Sequence, residues 1–375
     1  VGPSLESSPI YFNGTFYLMQ SHMGLFPPAG RAHPFFCVHD AATGDTVTCP
    51  PSSSGFAFFQ SIVDHTVPGD EVVWVFGSAW DRAQSSAPDC KPWGCGACAQ
   101  GHCYVGVWSS RDLATWDGPA TAVALPPNVT VPNVGTTMTP RPGGVPPLPP
   151  GLPPHQAFMV MEATPQNSSG DGRLLAVNVG NERNLSRNWQ LLEFATHAMD
   201  GPGVGQAASC PATRFNSRDG YYYVFGGGAN IELTRSANLS RGSWEAPPLP
   251  QGAFMETGCV FGAENCGANS SVAQIADGWY TQYWANGSDR GDRAYLGNLT
   301  DWNFSTNDAD FCDAGGAPPT LFIYGQCAQT APRNWTGRSG GFYQLGVIAN
   351  LTAADWLASY YTSAQGASAG GCGVV

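Results

Sequence analysis

Four carboxylates occupy positions from which a folded chain can do acid–base chemistry. Glu162 closes the apolar run at 157–162 (AFMVME), where burial raises a carboxyl's pKa toward that of a general acid. Asp308 and Asp310 are two residues apart, so strict alternation along a strand would place both on one face. Glu6 stands just ahead of the strand-like segment 8–12. Acid–base catalysis near neutral pH requires groups whose pKa values are tuned to donate and to accept a proton at the same bond, and these four are the candidates. Each also has a structural reading. Glu6 can be a surface residue near the start of the chain, Glu162 a buried acid paired with an arginine such as Arg141, and Asp308 with Asp310 a solvated turn. With Asp313 the last pair also reads as a calcium site, because hard oxygen ligands favour that ion; no other cofactor is indicated. His22, His65 and His155 can line a site or serve as hydrogen-bonded structural residues. There is no Ser-His-Asp signature, phosphate loop or dinucleotide glycine motif, and Gly226-Gly227-Gly228 follows a strand with no helix after it.

Two further residue sets report the compartment. Twelve cysteines, Cys37, Cys49, Cys90, Cys95, Cys98, Cys103, Cys210, Cys259, Cys266, Cys312, Cys327 and Cys372, suit six disulfides in an oxidising environment. The cluster Cys90, Cys95, Cys98 and Cys103 also has zinc-like spacing. Disulfides are the preferred reading, and their connectivity is not contained in the spacing. The acceptor pattern Asn-x-Ser/Thr occurs at Asn13, Asn128, Asn167, Asn184, Asn238, Asn269, Asn286, Asn298, Asn303, Asn334 and Asn350, which is 11 of the 19 asparagines. Together they point to a secreted, extracellular or cell-surface glycoprotein. Charged residues make up 12%, about half the usual share of ~25%, and glycans would supply the missing surface hydration. A net charge of −12 argues against nucleic acid as a partner, since the sequence offers no basic patch to displace phosphate counterions. No apolar run approaches the ~20 residues of a membrane-spanning helix. The sequence starts at Val1 without a signal peptide, as expected of a mature form.

The elements that must position these residues are strands. Segments 8–12 and 15–19 flank Asn13-Gly14, the strongest short hairpin signal, because both turn residues tolerate positive φ. The runs 71–77 (EVVWVFG), 157–162, 221–225 (YYYVF) and 321–324 (LFIY) are β-branched and aromatic, and glycine or proline interrupts them too often for long helices. Two stretches, 271–283 and 353–361, are expected to be helical. A Leu-x-x-Trp pattern or close variant recurs at Leu113/Trp116, Leu185/Trp189, Leu239/Trp244, Leu299/Trp302 and Leu351/Trp356, with leucine intervals of 72, 54, 60 and 52 residues. Such periods suit four-stranded propeller blades with insertions, and argue for a single domain over 1–375. Residues 140–154 read as a proline-rich loop insertion, 251–305 as an insertion before the last blade, and 362–375 as a tail. Asn184, Asn238, Asn298 and Asn350 each immediately precede the repeated leucine, which would put glycans on one shared turn.

The repeats resemble a known family. Ser110-Arg111-Asp112-Leu113-Ala114-Thr115-Trp116 resembles the Ser-x-Asp-Leu-x-x-Trp blade motif of family 43 glycoside hydrolases and their five-bladed β-propeller relatives. Glu6-Ser7-Ser8-Pro9-Ile10 through Gly14-Thr15-Phe16-Tyr17 resembles their opening blade. Met159-Val160-Met161-Glu162, Ser209-Cys210-Pro211 with Gly220-Tyr221-Tyr222-Tyr223, and Asp308-Ala309-Asp310-Phe311-Cys312 are similar to blade motifs of uncharacterised relatives. The resemblance implies an all-β, five-bladed β-propeller with long loop insertions and a central funnel lined by acids from the first strand of each blade. Five repeats plus an opening blade without the pattern also admit six blades. It further implies glycosidic bond hydrolysis, in which a carboxylate base, a carboxylic acid and a third carboxylate act across a sugar. Glu6 falls where the family has an aspartate base. The longer side chain would shift its oxygen by about an ångström, a displacement that can cost about 100-fold in rate. The family's Glu-Gly-Pro acid motif has no clear counterpart; Cys210-Pro211 stands in that place. The alternative is a non-catalytic extracellular propeller that binds glycan or a glycoprotein partner. A closed ring would also require the strand near Ser8 to pair in the blade built from 308–350 or to pack beside it.

Overall fold

The computed structural model describes residues 4–25, 32–40, 45–79, 104–124, 129–130, 134–138, 155–165, 172–180, 183–195, 211–216, 220–227, 231–239, 242–245, 253–255, 280–283, 303–312, 320–328 and 341–348. These form five sheets and, apart from one 3-10 turn at Pro51–Ser53, no helix among the described residues. Sheet 1 holds β1 (Ser4–Phe12), β2 (Thr15–Leu25), β3 (Ala32–Asp40) and β4 (Thr46–Thr48), in that spatial order. Sheet 2 holds β5 (Phe56–Asp64), β6 (Val72–Ala79), β7 (Tyr104–Ser110) and β8 (Asp117–Ala124), again in order. In sheet 3 a short β9 (Val129–Thr130) lies against β11 of the run β10 (Val134–Met138), β11 (Ala157–Pro165), β12 (Gly172–Asn178) and β13 (Trp189–Ala195). Sheet 4 holds β14 (Ala212–Asn216), β15 (Tyr221–Gly227), β16 (Ile231–Ser236) and β17 (Ala253–Met255). Sheet 5 holds β18 (Tyr280–Tyr283), β19 (Asn303–Cys312), β20 (Thr320–Ala328) and β21 (Gly341–Ile348), with spatial order β18-β21-β20-β19. The ladders are antiparallel. The chain divides into two compact units, Glu6–Ala198 with sheets 1 to 3, and Val1–Leu5 with Met199–Val375, which holds sheets 4 and 5.

The sequence of β6 explains how sheet 2 is packed. Val73 and Val75 join one core with Ile10, Met19, Phe36, Val38, Phe59 and Trp108. Val72, Trp74 and Phe76 join another with Val105, Val107, Met159, Met161 and Ala176. Alternation along the strand thus feeds a sheet on either side, and a strand buried on both faces reads as a continuous apolar run. Trp108 anchors the first core, with edge contacts to Phe36, Phe56 and Phe59 at ring separations of 5.6, 4.7 and 5.7 Å. Close packing here requires glycine: a Cβ on Gly77 would lie 2.5 Å from the Phe59 ring, and one on Gly106 2.5 Å from that of Phe56.

Turns follow the local sequence. Asn13 and Gly14 adopt φ of 49° and 76°, as a two-residue hairpin demands. The recurring leucine marks the connection from third to fourth strand in sheets 2, 3 and 4. Ser110 Oγ accepts the Leu113 N–H at 2.8 Å, and Ser236 Oγ accepts that of Leu239 at 2.9 Å. Leu113 and Leu239 have φ of 61° and 59° and are buried. A left-handed leucine costs about 1–2 kcal/mol, which burial of its side chain offsets by about 1.5–3 kcal/mol. The indoles of Trp116 and Trp189 donate to the Leu113 and Leu185 carbonyls at 3.0 and 2.8 Å.

Two expectations change. Of the stretch expected to be helical at 271–283, Tyr280–Tyr283 is strand β18, paired with β21. The edge of sheet 5 supplies hydrogen-bond partners that outweigh local preference; the rest of that stretch, and 353–361, lie outside the described residues. The fourth place in sheet 5 is therefore taken by β18, while the strand containing Ser8 pairs with β2. The tight Asn13-Gly14 turn commits β1 to its own hairpin. Among the segments read as insertions, 251–305 contains β17 and β18, and 140–154 and 362–375 lie outside the described residues.

Candidate functional site along the first strands

The first strands of sheets 1, 2 and 3 are neighbours joined by side chains. Ser8 Oγ of β1 donates to the Ser61 carbonyl of β5 at 3.3 Å and accepts the Ser61 N–H at 3.0 Å. The Ser61 hydroxyl donates to Ser8 Oγ at 2.9 Å. On the other side of β5, Gln60 Oε1 accepts the Thr136 N–H of β10. Ser8, Gln60, Ser61 and Thr136 are all buried, as are Thr213 and Arg214 on β14, the first strand of sheet 4. Within the second unit β14 packs against β19. Polar residues of these strands are therefore interior, alongside apolar ones such as Phe59 and Ile62 of β5. Both β5 and β19 carry a one-residue register shift, between Ala57 and Gln60 and between Thr306 and Ala309. A bulge of this kind re-aims the side chains beside it.

The candidate acids fall on these strands unequally. Glu6 lies in β1, two residues before Ser8. Asp308 and Asp310 lie in β19, with Asp308 inside the bulge and Asp310 in register with Phe322, so the strict alternation expected of the pair is interrupted. Glu162 is on β11, the second strand of its sheet, opposite Arg173 of β12. It stands one residue past Met161, which pairs with the first residue of β10. Glu6 and Glu162 belong to one compact unit, Asp308 and Asp310 to the other. Asp313, Arg141 and the cluster Cys90, Cys95, Cys98 and Cys103 lie outside the described residues, among which no group of His, Cys, Asp or Glu could hold a metal ion. His22 sits in β2 opposite Phe35, and His155 is buried just before β11.

A polar rim that the sequence reading did not identify closes one end of the first unit. Arg183, in the turn after β12, donates to Asp64 Oδ2 at 2.6 Å and to the Asp64 carbonyl at 3.2 Å. It also reaches Asp70 Oδ2 at 2.8 Å and the Asp70 carbonyl at 2.6 Å. Arg111 pairs with the same Asp70 carboxylate. Burial pushes the Asp64 carboxyl up, but the Thr66 hydroxyl, the Arg183 guanidinium and the Thr66 N–H outweigh it and hold the group below the usual range. Next to it, Glu71 bonds His65 Nδ1 at 2.8 Å and accepts the Asn13 N–H at 2.7 Å. Burial raises its pKa, and the bonds from Asn13 and His65 bring it below the ordinary value. These carboxylates are ionised, so they clamp turns together and have no proton to give. Arg183 and Asp64 are 119 residues apart, so only the adjacency of Arg183 to the repeated Asn184-Leu185 could have drawn attention to it.

The modification candidates are likewise placed. Asn13 is exposed at a hairpin tip, Asn184 and Asn238 lie in third-to-fourth-strand turns, and Asn303 starts β19. Asn128, Asn167, Asn269, Asn286, Asn298, Asn334 and Asn350 lie outside the described residues. Cys37 and Cys49 are disulfide-bonded. Cys312 and Cys327 lie in β19 and β20, and the remaining cysteines are outside the described residues. No helix among the described residues is long and apolar enough to cross a membrane.

Fold and site define an all-β protein of four-stranded antiparallel sheets with a polar row along the first strands. No protein-family model matches the sequence. Nor does any curated protein. Among solved structures, the catalytic domain of a GH62 α-L-arabinofuranosidase from Coprinopsis cinerea is similar over 93% of this chain and 92% of its own, at 10% identity and a TM-score of 0.49. The GH43 endo-arabinanase from Bacillus licheniformis covers 92% of this chain and 95% of its own, at 11% identity and 0.42. The GH93 α-L-arabinofuranosidase of Fusarium graminearum with arabinobiose covers 92% and 93%, at 12% identity and 0.44. With every score below 0.5, these likenesses carry no argument about the activity of this chain.

Proposed function

We propose that the five sheets are blades of one β-propeller and that this secreted glycoprotein acts on carbohydrate through acids at the centre of the ring. The observation that supports it most is the side-by-side placement of edge strands from successive sheets, β1 with β5 and β5 with β10 in one unit and β14 with β19 in the other. Blades arranged around an axis bring their first strands together. The blade motif at 110–116 spans the third-to-fourth-strand turn of sheet 2. In this reading Glu6, Glu162 and one of Asp308 and Asp310 serve as base, acid and tuning carboxylate. A pair about 5–5.5 Å apart would give retention and one about 6.5–9.5 Å apart inversion. The disulfide Cys37–Cys49 and the 11 sequons accord with an oxidising, extracellular setting.

The test is hydrolysis of aryl glycosides by wild type and Glu162→Gln. A catalytic acid predicts a fall in kcat of at least about 100-fold with an unchanged melting curve. Equal activity removes Glu162 from the mechanism. One observation favours a second reading, a propeller that binds glycan or a glycoprotein without cleaving it. Glu162 is in register with Arg173 on the neighbouring strand, and β10 and β14 carry no acidic residue. That reading predicts glycan binding with no turnover, and a lower melting temperature in Glu162→Gln.

A further inference from the structure

The third-to-fourth-strand turns of sheets 2 and 3 both place a side-chain oxygen immediately before the buried leucine, although the left-handed residue is Leu113 in the first and Asn188 in the second. In sheet 2, Asp112 Oδ1 accepts the N–H groups of Ala114 at 2.9 Å and Thr115 at 2.7 Å, and Oδ2 accepts the Thr115 hydroxyl at 2.7 Å. In sheet 3 the position before the buried leucine is Asn184. Its Oδ1 accepts the Ser186 N–H at 2.8 Å and the Ser186 hydroxyl at 2.6 Å. Its carbonyl accepts Gln156 Nε2 at 3.5 Å. Among the described residues, Nδ2 has no hydrogen-bond partner. The turn therefore needs one side-chain oxygen at this place and leaves the second substituent of the carbonyl carbon unused in Asn184. The chain on either side is held independently. Asn178 Nδ2 donates to the Arg187 carbonyl at 2.6 Å, and Trp189 Nε1 donates to the Leu185 carbonyl at 2.8 Å.

We infer that Asn184 carries an N-linked glycan on the one side-chain atom its turn does not use, so that the structural turn and the acceptor are the same residue. The inference rests on the secretory reading above. In the transfer, the Nδ2–C1 bond forms as the C1–O bond of a lipid-pyrophosphate-linked oligosaccharide breaks. The pyrophosphate leaves with the bonding pair, Nδ2 gives up one proton, and Oδ1 keeps its lone pairs for Ser186. Ser186 thus serves twice, as the third residue of the acceptor pattern and as the donor that orients the amide. Asn238, Asn298 and Asn350 stand in the same position before their leucines.

The experiment uses the full chain secreted from a eukaryotic host, with glycopeptide mapping before and after enzymatic release, which converts an occupied asparagine to aspartate. Wild type shows a glycan at Asn184; Asn184→Asp and Ser186→Ala each lose that glycan alone. In chains secreted with N-glycosylation blocked, so that residue 184 keeps its amide in wild type, Asn184→Asp melts within about 1 °C of wild type, because Asp112 already shows that a carboxylate serves such a turn, whereas Asn184→Gln melts about 2–4 °C lower. An empty Asn184 in a secreted chain that is glycosylated elsewhere overturns the inference and leaves the secretory reading standing. A secreted chain without glycan at any acceptor overturns both. Equal melting of the Asp and Gln variants overturns the turn's dependence on the position of the side-chain oxygen.

Discussion

Asp64 and Asp112 lie in the same sheet, one at the end of β5 and the other just past β7, and both have depressed pKa values for different reasons. Asp64 is a buried carboxylate, 1% exposed, whose charge is matched by Arg183, itself 18% exposed. Asp112 is exposed. The N–H and hydroxyl of Thr115, helped by the Ala114 N–H and the Ser110 hydroxyl, outweigh desolvation and hold its pKa at about 2. A perturbed carboxylate is often taken as a mark of function. Here one closes a joint between two sheets and the other caps a turn, and neither carries a proton to give. The carboxylates proposed for chemistry, Glu6, Glu162, Asp308 and Asp310, lie on strands and belong to neither device.

Removing the partner of the buried acid should have the largest effect. Arg183→Ala leaves Asp64 charged and unpaired in the interior, and about 3–5 kcal/mol of stability should be lost, read from urea unfolding of the full chain. A loss comparable to that of an exposed pair would show that the rim does not hold sheets 2 and 3 together. Thr66→Val removes one hydroxyl from the same carboxylate and should cost less, about 1.5–3 kcal/mol, as expected for a hydrogen bond to a charged group. The smallest effect belongs to Asp112→Asn, which keeps a turn oxygen but loses the charge-assisted bonds of an exposed carboxylate, so it should be slightly less stable than wild type at pH 7 and converge on it in acid. Its signature is in acid. A carboxylate with a depressed pKa stabilises the fold above its unfolded value of 3.8, and that share is lost as pH falls through about 2. Asp112→Asn should therefore flatten the fall in urea midpoint between about pH 4 and pH 2. An unchanged acid limb would assign that limb to Asp64 and Glu71, whose pKa values are also lowered.

The features legible in sequence are local ones. Asn13-Gly14 specifies its hairpin because two consecutive positive φ values select those residues. The run Val72-Val73-Trp74-Val75-Phe76 announces a strand buried on both faces, and Ser110-Arg111-Asp112-Leu113 announces the turn that Ser236-Ala237-Asn238-Leu239 repeats. The strand at 280–283 was read as part of a helix because its partner, β21, begins some sixty residues later. The candidate site was legible in part. Glu6 falls in β1 and Asp308 and Asp310 in β19, edge strands of sheets 1 and 5, while Glu162 falls on a second strand, a difference set by which segment of sheet 3 lies at its edge. The rim of Asp64, Asp70, Arg111 and Arg183 left no pattern, since no spacing rule links residues 41, 113 and 119 positions apart.

Sequence by itself determined the strand-rich character, the hairpin and the recurrent turns, because each depends on backbone preferences and hydrogen bonds within a few residues. It also supplied the density of glycan acceptors and cysteines, which composition alone carries. Only the tertiary structure decided that Ser8 meets Ser61, that Thr136 meets Gln60 and that Arg183 closes on Asp64. Those contacts form when buried polar groups from distant segments must satisfy one another, and that requirement exists only once sheets 1, 2 and 3 have stacked.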